Sequence, residues 1–179
     1  NGLWMKISAP WGLLGARAGT VLVYWCIFGT VFKTLKDRIP AVQLLAWLFL
    51  TFLFTQRWFW IDYNYMTALF ATLSVCTLYL GHFGDISLAF CLSGGLAALA
   101  FFARLPNILM IGFGLIPILV PLMIPSEGLW KRSLTRSGFF FAGYATIFLG
   151  ALLVMAATGY LEYFRQGLLG IQMLATSTE

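Results

Sequence analysis

Charge is what this sequence has least of. Only 9% of its 179 residues are Asp, Glu, Lys or Arg, where a soluble domain carries roughly 25%. There is one histidine, His82, so a His-rich metal centre is excluded, and its place in the short "GHFGD" stretch makes it a solvated loop residue. Cysteine is equally thin. Cys26, Cys76 and Cys91 fall inside apolar runs without CxxC spacing; they read as small core residues, with no disulfide or metal implied. No phosphate-cradling glycine loop, GxSxG elbow or HExxH helix occurs. Heptads, solenoid repeats and low-complexity tracts are missing. So is the matched pair of interrupted helices that marks inverted-repeat transporters. No spanning run holds an acid, which argues against ion coupling.

What fills the chain instead is oil. Hydrophobic residues make up 61% of it and the mean hydropathy is +0.90, so the natural solvent for most of its surface is lipid. Six apolar segments can be drawn, at about 11–32, 41–60, 65–80, 86–103, 108–124 and 138–159. Each is near the ~20 residues a helix needs to cross ~30 Å of hydrocarbon. The runs are continuous, whereas a barrel strand would alternate over ~10 residues. The expected fold is therefore all-α: a single polytopic transmembrane helix bundle of about six spans. The chain opens on "NGLWMKISAP", without a positive n-region, and ends in "ATSTE" just after an unfinished apolar stretch. It reads as a piece of a longer protein.

Connections set the orientation. Odd-numbered loops carry Lys33, Lys36, Arg38, Lys131, Arg132 and Arg136; even-numbered ones carry Arg57, Arg104 and Arg165. The positive-inside rule then puts odd loops in the cytoplasm, and Lys6 outside. That bias accounts for most of the net charge of +5, so no nucleic-acid partner is needed. The partner expected is membrane lipid. Spacings of four between small residues (Gly12/Ala16, Gly15/Gly19, Ser93/Ala97, Gly94/Ala98) mark tight helix contacts. Pro117, Pro121 and Pro125 recur every four residues, and each removes a backbone donor, so this half of the fifth span should bend or unwind.

The outer face gathers the few groups able to do chemistry. "RWFWIDYNY" places Arg57 and Asp62 among aromatics whose rings settle at headgroup depth. Arg104 ends the fourth span, and Glu162 and Arg165 follow the sixth. A guanidinium grips a phosphate through two parallel hydrogen bonds, and a carboxylate can accept a hydroxyl proton or hold a metal. The same residues have plainer uses: Arg104 can snorkel to headgroups, and Asp62 can pair with Arg57 or cap the third helix. No particular cofactor or metal follows from them.

Three stretches carry a resemblance. "ISLAFCLSGGLAALAFFARLPNILMIGFGLIPILV", with Gly94, Gly95, Arg104, Pro106 and Asn107, is similar to a recurring helix, Arg-x-Pro turn and return helix of bacterial GT-C-type membrane glycosyltransferases, the dolichyl-phosphate mannosyltransferase-like superfamily. "DYNYMTALFATLSVCTLYL", with Asp62, Tyr63 and Asn64, resembles the helix after that family's second outer loop. "GARAGTVLVYWCIFGTVFKTLK", with Arg17, resembles the helix after the first. The resemblance implies transfer of a sugar from a polyprenyl-phosphate donor to an acceptor on the outer side of a bacterial inner membrane. Asp62 is the candidate catalytic carboxylate in this chain, and Arg57, Tyr63, Asn64, Arg104 and Asn107 are the candidate substrate-binding residues. The family's presumed base lies on the first outer loop, upstream of Asn1, so the chain would be an internal fragment. Two other classes stay open: a non-catalytic scaffold or assembly subunit, and a transporter or flippase segment.

Overall fold

A computed structural model describes residues 6–7, 9–55, 63–123 and 128–176. Every described element is helical. After a short 3₁₀ turn at Ala9–Trp11 come α1 (Gly12–Leu35), α2 (Ala41–Thr55), α3 (Tyr63–Gly84) and α4 (Ser87–Ala103). A 3₁₀ segment (Leu105–Leu115) runs into α5 (Ile116–Met123), and α6 (Leu129–Ala157) and α7 (Leu161–Thr176) complete the chain. Three helices are long and apolar enough to cross a membrane, over Arg17–Leu35, Tyr65–Gly84 and Leu129–Ala157.

The distribution of side chains is that of a protein dissolved in lipid. Leu14, Val42 and Leu109 are 75%, 81% and 82% exposed, while Ser74, Ser93, Ala97 and Ala98 are fully buried. Large apolar side chains are thus left outside as well as inside, where Phe90 and Phe140 are buried, as helices that meet lipid allow. Between helices in lipid there is no hydrophobic gain to exploit, so close backbone approach and interhelical hydrogen bonds hold the bundle.

α4 shows both devices. Against α6, Gly94 lies so close to the Phe140 carbonyl, and Gly143 to the Cys91 carbonyl, that a Cβ on either would overlap the facing backbone. Against α3, Ser74 and Ser93 form a reciprocal clamp. Ser93 Oγ donates to the Ser74 carbonyl at 2.7 Å, Ser74 Oγ donates to the Ser93 carbonyl at 2.9 Å, and the two hydroxyls lie 3.1 Å apart. Leu78, Phe90, Met110, Phe140 and Tyr144 fill the space around these contacts. The Ser93/Ala97 and Gly94/Ala98 spacings thus mark a real interface. Of the pairs on α1, Gly15 and Gly19 are buried, but Gly12 is exposed, with nothing within 4 Å of where a Cβ would sit, and marks no contact. A smaller cluster of Val23, Tyr24 and Tyr65 joins α1 to α3, with the two tyrosine rings edge-on at 5.6 Å.

The fifth apolar run departs from expectation. Among the described residues the irregular part is its first half: Leu105–Leu115 is 3₁₀, and Pro121 sits inside the helix α5; Pro125 lies outside the described residues. Pro117 lies at the changeover. It has no N–H with which to continue the i→i+3 ladder onto the Gly114 carbonyl, and Ser137 Oγ of α6 donates to that carbonyl instead, at 2.7 Å. The missing donor is therefore replaced by an interhelical bond. Cys26 also differs from expectation, since it is exposed on α1. It offers its surroundings one weakly polar sulfur, which lipid tolerates.

The odd loops meet at one end of the bundle. The Arg38 guanidinium lies over the Phe83 ring at 5.2 Å. Asp85 accepts from Arg136 Nη2 at 2.7 Å and from Arg132 Nε at 3.0 Å, and also pairs with Arg132 Nη2. Asp85 takes a left-handed φ of 55° as α3 ends, where the Ile86 N–H reaches back to the Gly81 carbonyl at 3.2 Å. Glycine is the usual residue there; the carboxylate explains the exception. His82 belongs to this cluster. It is half-buried in the last turn of α3, its ring edge-on to Phe83 and its Nδ1 3.5 Å from Arg136 Nη1, so it is not a solvated loop residue.

Candidate functional site

At the opposite end, α3 begins, α4 ends, and α6 gives way to α7. The turn after α4 is built by Arg104 and Asn107. Arg104 leaves the helix with extended backbone, φ −156° and ψ 119°, and its N–H is shared between the Ala100 and Phe101 carbonyls at 3.1 Å each. The Asn107 N–H then donates to the Arg104 carbonyl at 2.9 Å. Asn107 Nδ2 donates to the Ala100 carbonyl at 2.8 Å and to Thr67 Oγ1 on α3 at 3.1 Å. The carbonyl partner fixes which amide atom is nitrogen, so Oδ1 points away from these bonds. Asn107 thereby ties the end of α4 to the start of α3 and brings Arg104, which is exposed, to the end where Tyr63 and Asn64 open α3.

Below this turn lies a cavity of about 550 Å³ between α1, α3 and the 3₁₀ segment. Its wall runs from Asn107 and Met110 along Thr72, Cys76 and Tyr79 to Thr34. This is an elongated, mostly apolar trough with an amide at one end, within the size range of ligand sites. It owes its existence to the 3₁₀ segment, which packs on α4 and α6 and leaves α1 and α3 partly uncovered. A second cavity of about 450 Å³, lined by Trp25, Phe28, Phe32 and Leu45, lies between α1 and α2 and is almost wholly apolar.

Of the residues singled out from the sequence, Arg104 and Asn107 are adjacent in one turn. Tyr63 and Asn64 lie in the first turn of α3, at the same end. Arg57 and Asp62 lie outside the described residues. Glu162 and Arg165 pair on α7, through Arg165 Nε and Nη2 to the two carboxylate oxygens at 2.9 Å each. That hydrogen-bonded partner, followed by Gln166, lowers the Glu162 pKa below the usual carboxylate range. At the other end of the bundle, hydrogen bonds from Arg132 and then Arg136 hold Asp85 down to about 2.

Sequence reasoning missed the trough, Thr67 as the partner of Asn107, and the Asp85 cluster. The last left a trace: Arg132 and Arg136 are four residues apart on one helix, the spacing that lets two side chains share a partner. The trough left none, because it is made by a backbone transition. Among the described residues, no three His, Cys, Asp or Glu side chains converge as a metal site. No family model, curated protein or solved structure matches this chain.

Proposed function

We propose that this chain is part of a multi-pass bacterial inner-membrane glycosyltransferase of GT-C type, acting on a polyprenyl-phosphate sugar at its outer face. The observation that carries this reading is the junction of an apolar trough with a polar turn. The trough suits one branched hydrocarbon chain, and its Asn107 end adjoins Arg104, where the lipid's phosphate would sit. Arg104 supplies the charge-assisted hydrogen bonds that a phosphate leaving group requires, with Arg57 and Asn64 as further contacts. Asp62 takes or orients the acceptor hydroxyl.

Six crossings are part of the same proposal. Three helices meet the length criterion. α4, of 17 residues, covers roughly 26 Å. The 3₁₀ segment of 11 residues and α5 of 8 together cover roughly 34 Å, because 3₁₀ rises about 2.0 Å per residue against 1.5 Å for α. The unusual geometry gives this run the reach of a membrane span. α2 starts at Ala41, and its expected span continues into residues outside those described.

The test uses the full-length protein in nanodiscs with undecaprenyl phosphate as probe. Arg104→Ala is expected to weaken binding about tenfold, the value of one charge-assisted phosphate contact, in protein that remains folded by far-UV circular dichroism. Thr72→Trp, which fills the trough, is expected to abolish binding. Binding that survives both changes would favour a scaffold subunit. Binding lost in both, together with vesicle uptake of a solute, would favour a transporter.

A further inference from the structure

α7 is the most strongly amphipathic of the described helices, and neither the bundle nor the proposed reaction uses its outer side. We propose that α7 lies flat in the outer headgroup region, as an interfacial helix seated on phospholipid, and marks the depth of the bundle's outer face. The inference rests on the bundle being embedded in a bilayer and is independent of which lipid-linked sugar it binds.

Four observations lead there. First, α6 ends in a complete glycine stop. The Tyr160 N–H reaches the Met155 carbonyl at 2.8 Å, the Gly159 N–H reaches Ala156 at 3.3 Å, and Gly159 takes φ +76°. This double bond satisfies the last carbonyls and turns the chain away from the α6 axis. Second, one edge of α7 is fastened to the bundle's outer end: the Phe164 ring lies 5.8 Å from Phe102 and 6.4 Å from Phe101, and Phe102 stacks on Phe148 of α6 at 5.4 Å. Third, Leu161 and Leu168 recur on the same side as Phe164, at i, i+3 and i+7, and are 41% and 43% exposed. Tyr160 and Tyr163 at the start of the helix, their rings 6.1 Å apart, are 63% and 71% exposed, the residue type that collects at headgroup depth. Fourth, Glu162 and Gln166 lie on a different side of the helix, Arg165 sits at the border between them and the leucines, and the three satisfy one another. A helix crossing the bilayer would carry these three groups into hydrocarbon. A helix in the interface keeps them in water while its apolar side enters the acyl boundary.

The test reads depth directly. A fluorophore is placed at Leu168→Cys, Gln166→Cys or, as a control facing lipid on α6, Leu153→Cys, in the full-length protein with Cys26, Cys76 and Cys91 replaced by Ala. The protein is reconstituted in phosphatidylethanolamine–phosphatidylglycerol vesicles. Should that background fail to fold, a fluorescent amino acid incorporated at 166, 168 and 153 with the native cysteines kept gives the same reading. Position 168 is expected to be quenched several-fold more by a nitroxide near the lipid headgroup than by one near the chain end, and position 166 by aqueous iodide. Iodide quenching at both positions, with 153 still quenched by lipid nitroxides, would put α7 in water and overturn the inference. Deep-nitroxide quenching at 168, or shielding of 166 from iodide, would make it a spanning or protein-covered helix and overturn it equally. Loss of nitroxide quenching at 153 as well would instead remove the bilayer reading on which the inference rests.

Discussion

The two sides of α3 behave as different materials. Toward α4, and through it α6, backbones touch at Gly94 and Gly143, and the hydroxyls of Ser74, Ser93 and Ser137 all find partners. Toward α1 the same helix makes a few aromatic contacts around Tyr24 and Tyr65 and then leaves a trough of about 550 Å³. The contrast shows how lipid as solvent divides labour within one bundle. Where small residues let backbones meet, dispersion and hydrogen bonds supply stability. Where the 3₁₀ segment leaves α1 and α3 partly uncovered, space remains for a ligand and the contacts across it contribute little to stability.

The sharpest way to break the contrast is to add bulk to the tight side. Gly143→Val pushes a branched side chain into the Cys91 carbonyl and should destabilise by about 3 kcal/mol or more, measured by SDS titration in mixed micelles. Gly29→Val, at a glycine of α1 with nothing within 4 Å, should stay within about 1 kcal/mol. Equal effects would erase the distinction between the close-packed α4–α6 contact and the open surface of α1.

Next in size is the serine clamp. Ser74→Ala leaves the Ser93 carbonyl without its hydroxyl donor, and Ser93→Ala does the converse. Each should cost about 1 kcal/mol, the scale found for hydrogen bonds between membrane helices. The double mutant should cost clearly less than the sum, because the two bonds share partners. Strict additivity would show that the clamp is not cooperative.

Much of the fold was legible in the sequence, and the reasons are physical. Continuous apolar runs favoured helices over strands, and the structure places α1, α3 and α4 on the expected segments with ends shifted by a few residues, while α6 starts at Leu129, nine residues before the expected 138, and takes Arg132 and Arg136 out of the expected loop. Ser93, Gly94, Ala97 and Ala98 announced their interface because only small side chains permit it. The fifth run misled because proline positions reveal a lost donor but not what replaces it; Ser137 supplies the replacement from 20 residues beyond Pro117 in sequence. His82 misled because a Gly-rich context suggests a loop, while Asp85 shifts the helix end past it. Within the candidate site, Arg104 was singled out by its type and its place at a span end, and Asn107 by the resemblance. Their bonds to Ala100 and Thr67 depend on how α3 and α4 cross, which no local pattern encodes.

A buried hydroxyl gives a smaller test on the loose side. Thr20 Oγ1 is the one buried side-chain polar atom among the described residues with no hydrogen-bond partner. Thr20→Val keeps its shape and removes the unmet group, so stability should rise by about 1 kcal/mol. A fall would show that Thr20 is hydrogen-bonded in the bilayer.

The weakest effect expected is at the charged end. Asp85 has a carboxyl pKa lowered from 3.8 to about 2, so its contribution is fully present above pH 4 and is lost as pH falls toward 2. Asp85→Asn should flatten that part of the stability–pH curve. The change should be small, because the side chain is 60% exposed and water screens the pairs.

The most direct measurement is sidedness. Lys36→Cys and Lys131→Cys at one end, and Arg104→Cys at the other, are treated with a membrane-impermeant maleimide in intact cells expressing the full-length protein. The account predicts labelling of Arg104→Cys from outside, and labelling of the two lysine positions only after the membrane is opened. Labelling of all three from the same side would contradict it.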